Sequence, residues 1–106
     1  MKASRIKNDP LQMEAMKIID EIKEEFSSHE GIGKILSRAI GMQIRVSETM
    51  RTRAGVAHCA RFDHETGKVT IAGFIEINGP MFRDPWNYEK SFRNTVIHEF
   101  APILTP

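Results

Sequence analysis

Toward its end the sequence runs Asn94-Thr-Val-Ile-His-Glu-Phe-Ala-Pro102, and His98 and Glu99 are the residues in this run equipped for catalysis. On a helix, residues four apart share a face, so a His-Glu-x-x-His spacing aims two imidazoles at one Zn²⁺. The Glu between them polarises the metal-bound water and takes its proton as hydroxide attacks a peptide carbonyl, and a third ligand from later in a chain completes such a site. His98 and Glu99 stand where the first two letters of that spacing would, but the second ligand position holds Pro102, which has no ligand atom. His58 falls on the apolar side of a strand-like run and reads as a core histidine. His29 lies in a break and His64 in a hairpin loop, so both read as exposed. One imidazole and one carboxylate fall short of the three protein ligands usual for catalytic zinc. The expectation is therefore no stoichiometric Zn²⁺ and no proteolysis.

The elements that must position these groups are legible from periodicity. Asp9-Pro10 reads as an N-cap followed by Pro in the first turn, and Leu11, Ala15, Ile18, Ile19, Ile22 and Phe26 recur at helical spacing, which predicts a helix over about residues 10 to 27. Residues 27 to 31 break it, and residues 33 to 40 suit a short turn or helix. From Met42 the period becomes two: Met42, Ile44 and Val46 alternate with Gln43, Arg45 and Ser47. A second strand, residues 54 to 62, places Val56, His58, Ala60 and Phe62 on one side. A third, residues 68 to 78, does the same with Val69, Ile71, Ile75 and Ile77. The polar run from Asp63 to Lys68, with Gly67 near its end, predicts a hairpin that pairs strands two and three antiparallel. Asn78 ends the third strand, and residues 79 to 85 read as a loop. A last helix opens at Pro85 or Trp86 and carries Phe92, Val96, Ile97 and Phe100. Trp86 and Tyr88 read as packing at the entry to that helix. Pro102 withholds an N–H from the His98 carbonyl, so the helix should lose regularity near Phe100, and Ile103 and Leu104 should leave its axis to pack on the core or on a second chain. The predicted class is α+β: an N-terminal helix, a three-stranded sheet and a C-terminal helix.

The 106 residues suit one domain, and 41% apolar with 27% charged residues is an ordinary globular balance. No apolar run approaches the roughly 20 residues that span a bilayer, and the basic start has no apolar signal segment behind it. A lone Cys59 makes no internal disulfide, which fits the cytoplasm or another reducing compartment. The net charge of +1 is uneven. Residues 34 to 62 hold six basic side chains, including Lys34, Arg38, Arg45, Arg51, Arg53 and Arg61, against Glu48 alone.

Three stretches in order, "MRTRAG" at 50 to 55, "FIEINGPMF" at 74 to 82 and "FRNTVIHEFA" at 92 to 101, resemble the SprT-like (Spartan-like) zincin metallopeptidases. The resemblance covers about residues 11 to 101. It implies a minimal zincin-like core, zinc as the cofactor of the intact family, and hydrolysis of proteins bound to DNA as the family activity. It also implies His98 as the surviving metal ligand and Glu99 as the surviving general base. The sequence departs from the family at Pro102, and the downstream His and the C-terminal zinc-binding segment of the family have no counterpart. These departures make the chain a C-terminally incomplete, inactive member by expectation. The alternative is a non-enzymatic module that binds protein or nucleic acid on the same scaffold. Arg45, Arg51, Arg53 and Arg61 would then form a basic surface for DNA phosphates, with the apolar C-terminal end available for a protein substrate or a second copy.

Overall fold

The computed structural model describes residues 9–29, 31 and 35–105. The first helix, α1 (Pro10–Ser27), starts where the sequence dictates, because the Asp9 carboxylate accepts from the Leu11 N–H at 2.9 Å and Pro10 occupies the first turn. Its buried residues are Leu11, Ala15, Ile18 and Ile19, with Ile22 packed against them. Phe26 continues the spacing but is 41% exposed and lies against His29 instead of the core. Residues 35 and 36 are helical and lead into a 3-10 turn, Ser37–Ala39. Of the expected turn over 33 to 40, Gly33 and Lys34 lie outside the described residues.

The strands are β1 (Gln43–Ser47), β2 (Gly55–His58), β3 (Arg61–Phe62), β4 (Val69–Ile71) and β5 (Phe74–Asn78). β1 follows the period of two, with Ile44 and Val46 buried and Gln43 and Arg45 exposed. The main sheet has the order β1-β5-β2, with β5 parallel to β1 and antiparallel to β2, while β3 and β4 form a separate two-stranded sheet. Strands two and three of the sequence reading do pair antiparallel, but each bends in the middle. The bend is built on Gly73, where an added Cβ would lie 2.7 Å from the His58 carbonyl oxygen and 3.0 Å from the Ala60 nitrogen. Backbone passes too close there for a side chain. The hairpin loop closes as its residues require: Gly67 has φ 75° and donates to the Asp63 carbonyl at 2.8 Å.

Residues 79 to 85 hold a short helix that the sequence reading took for loop. In α2 (Gly79–Arg83) the Asn78 side chain accepts from the Met81 N–H at 2.9 Å and Pro80 sits in the first turn, so Asn-Gly-Pro is a helix start. The last helix, α3 (Pro85–Leu104), is capped by Asp84 and buries Phe92, Val96, Phe100 and Ile103 as one stripe. Together with Ile44, Ile75, Ile77, Phe82 and the α1 stripe, these residues make the core. All of it lies on one face of the main sheet. Tyr88 stacks on Phe92 at 4.8 Å, whereas Trp86 remains 66% exposed beneath Lys90.

Pro102 does not end α3. The helix continues through Leu104 because its final turn is held from outside. Ile103 is wholly buried, Arg38 donates to the Leu104 carbonyl at 2.8 Å, and Thr105 closes on the Ala101 carbonyl with both its N–H and its hydroxyl at 3.0 Å. A cation at a helix C-terminus also opposes the helix dipole. The loss at the His98 carbonyl is confined to one bond, and tertiary packing carries the helix past it.

Arg83 clamps three segments. Its guanidinium makes a bidentate pair with Glu48 at 2.6 and 2.5 Å and reaches the second oxygen of the α1 cap, Asp9, at 3.4 Å. The Arg83 hydrogen bond holds the Glu48 carboxyl below its ordinary value of 4.5. A depressed carboxylate stabilises the fold fully above its unfolded pKa, and that contribution is lost as pH falls through the folded one. Glu48→Gln should therefore cost about 0.5 kcal/mol at neutral pH, discounted for solvent exposure, and less at an acid pH below 4.5, where Glu48 takes up its proton. Urea unfolding of both proteins at the two pH values checks this; an equal gap at both would refute it.

Candidate functional site

The third turn of α3 passes beneath β2 at the edge of the main sheet. The approach is close because residue 55 is glycine: a Cβ there would lie 3.0 Å from Glu99 Cγ, 3.1 Å from the Glu76 carbonyl oxygen and 3.2 Å from Thr95 Cγ2. Asn78 fixes the preceding backbone. Its side chain, 1% exposed with the residue as a whole, donates to the Arg53 carbonyl at 2.8 Å, and its N–H donates to the Ala54 carbonyl at 2.9 Å. The result is an open cleft of about 420 Å³ lined by Arg53, Ala54, Gly55, Asn94, Thr95, His98 and Glu99. "TRAG", "FIEIN" and "NTVIHE" thus meet at one place.

Among the described residues, the backbone at this edge has no strand partner. The bond from Asn78 to Ala54 makes those two a hydrogen-bonded pair, and antiparallel pairs alternate. In the register Val56 opposite Glu76 and His58 opposite Phe74, the bonding groups of Val56 and His58 face β5. Those of Gly55 and Ala57 point out of the sheet. The opposite edge is partly closed, since Gln12 from α1 donates to the Ile44 carbonyl at 2.9 Å.

His98 is exposed and Glu99 half-buried, and neither side chain has a hydrogen-bond or ion-pair partner among the described residues. Residue 102 offers only a carbonyl, which accepts from Cys59 Sγ at 3.4 Å, and no three His, Cys, Asp or Glu side chains among the described residues are grouped to share a metal. His98 and Glu99 do not by themselves make a catalytic zinc centre.

His58 is not the core residue that alternation predicted. The inner positions of β2 are Gly55 and Ala57, opposite Ile77 and Ile75, while Val56 and His58 lie on the outer face with Glu76 and Phe74. His58 stacks on Phe74 at 4.0 Å and meets Glu76 at 3.0 Å. The reason is size: α3 comes so near that only the small residues fit beneath it. His29 and His64 are exposed.

The four arginines are exposed but do not form one track. Arg45 extends over the Phe74 ring, 3.9 Å from its centre, on the outer sheet face. Arg53 lines the cleft on the inner side. Arg61 sits in β3, opposite Ile71, and Arg51 in the connection before β2.

No family model, no curated protein and no solved structure matches the chain in comparisons with known proteins. Among the described residues, no helix is long and apolar enough to cross a membrane.

Proposed function

We propose that this chain is a zincin-type scaffold of the SprT-like class that holds an extended polypeptide along β2 and lacks the ligand set to hydrolyse it. The reading is carried by one observation: a strand edge, with the backbone N–H and C=O groups of Gly55 and Ala57 left unpaired among the described residues, runs beside His98 and Glu99. In such an arrangement the added strand gains main-chain hydrogen bonds from β2, and its carbonyls lie above the helix that bears an imidazole and a carboxylate. In this reading Glu99 would be the proton acceptor and His98 a metal ligand. With Pro102 in the second ligand position, the activating half of the reaction has no residues assigned to it, so retention of the peptide is the function that remains.

The zinc content of the purified chain tests this. Metal analysis should find far less than one Zn²⁺ per chain, and neither casein nor DNA-bound protein should be cleaved. Pro102→His places a second imidazole one turn from His98 and should confer weak zinc binding that His98→Ala abolishes, still without proteolysis. One tightly held zinc per wild-type chain, lost in His98→Ala, would overturn the proposal. So would turnover that depends on Glu99.

A further inference from the structure

We infer that the polypeptide held at this edge carries an acidic side chain opposite Arg53; the inference rests on the reading of β2 as a peptide-binding edge. Arg53 is exposed, lines the cleft, and has no side-chain partner among the described residues, although Glu99 lines the same cleft. The two charges are not within ion-pairing distance of each other, so each is left for a ligand.

Their spacing sorts what that ligand must carry. Arg53 stands ahead of the bend at Ala54 that leads into β2, and Gly55 is the residue beside which Glu99 packs closely. A polypeptide lying along β2 and the cleft therefore meets the Arg53 guanidinium where β2 begins and the Glu99 carboxylate beside Gly55. An acid at the first position gains a charge-assisted, potentially bidentate bond. An acid at the second meets a like charge, so a small or basic residue belongs there. Arg53 can select in this way because its position is fixed by its backbone, through Asn78, while the guanidinium itself carries no structural bond. The same independence makes Arg53→Gln a substitution that leaves the fold in place.

The probe is a set of acetylated, amidated peptides of alternating Thr and Val, identical except for one central Glu, Gln or Lys. Each is titrated into the isotope-labelled chain, following the amide resonances of Gly55 and Ala57. The Glu peptide should bind about tenfold more tightly than the Gln peptide, and the Lys peptide should gain nothing from Arg53. Arg53→Gln should bring the Glu and Gln peptides to equal affinity. Equal affinities in the wild-type chain, or a Glu preference that survives Arg53→Gln, would overturn the inference while leaving peptide binding at β2 intact. If no peptide moves the Gly55 and Ala57 resonances, both the inference and the reading beneath it fail.

Discussion

Ile103→Ala should lower the stability of the fold by about 3 kcal/mol, within the range of large-to-small changes at fully buried sites. Ile103 is wholly buried, and its Cδ1 lies 3.0 Å from where a Cβ on Gly73 would stand, so the side chain fills the space at the bend of the β-strands. Neighbours on two elements define that space and cannot collapse into it together. Ile103 also anchors the helical turn that follows Pro102. Its truncation should remove helix as well as stability, visible as reduced helical ellipticity before the main urea transition. A loss below about 1 kcal/mol, with helicity unchanged, would mean that the Arg38 and Thr105 contacts hold the last turn without it.

Pro102→Ala should act in the opposite direction and stabilise by about 1 to 2 kcal/mol. A proline inside a helix costs about 3 kcal/mol through the missing N–H and the crowding of the carbonyl four residues back, here that of His98. Three terms reduce what can be recovered. Proline stiffens the unfolded chain, worth about 0.4 to 1 kcal/mol. The position is in the final turn, and the half-buried ring gives up some apolar contact. The balance still favours alanine. Chemical denaturation of the two proteins measures it, and a variant no more stable than wild type would show that the helix has already relaxed around the ring.

Most of the architecture was legible because it rests on local signals. Asp9-Pro10 and Asp84-Pro85 open helices where capping chemistry places them, and Gln43 to Ser47 alternate as a half-buried strand must. One misreading was local and the others were tertiary. Asn78-Gly-Pro was taken for a loop, although an Asn cap with Pro in the first turn is a helix start. Alternation identified β2 but chose the wrong inner face, since polarity ranks Val56 above Gly55 and only the nearness of α3 reverses that order. Helix propensity at Pro102 was outweighed by Ile103 and Arg38, both of which act across the fold. Of the candidate site, His98 and Glu99 were visible by type and spacing. The meeting of Arg53 with them was not, because it depends on a hydrogen bond from Asn78 to a carbonyl 25 residues earlier.

The order β1-β5-β2 also governs how the protein is made. Of the five described strands the central one is the last to leave the ribosome, and both of its neighbours precede it. Until Phe74 to Asn78 emerge, β1 has no strand partner and β2 has none, and the α1 stripe has no α3 to cover it. The β3–β4 hairpin is the single sheet contact that nascent chain can form early, since its strands are joined by a short loop. Assembly of the core is therefore postponed until β5 and α3 have emerged. Through most of synthesis the chain presents two unpaired strands and an apolar helix face, the kind of surface that chaperones shield.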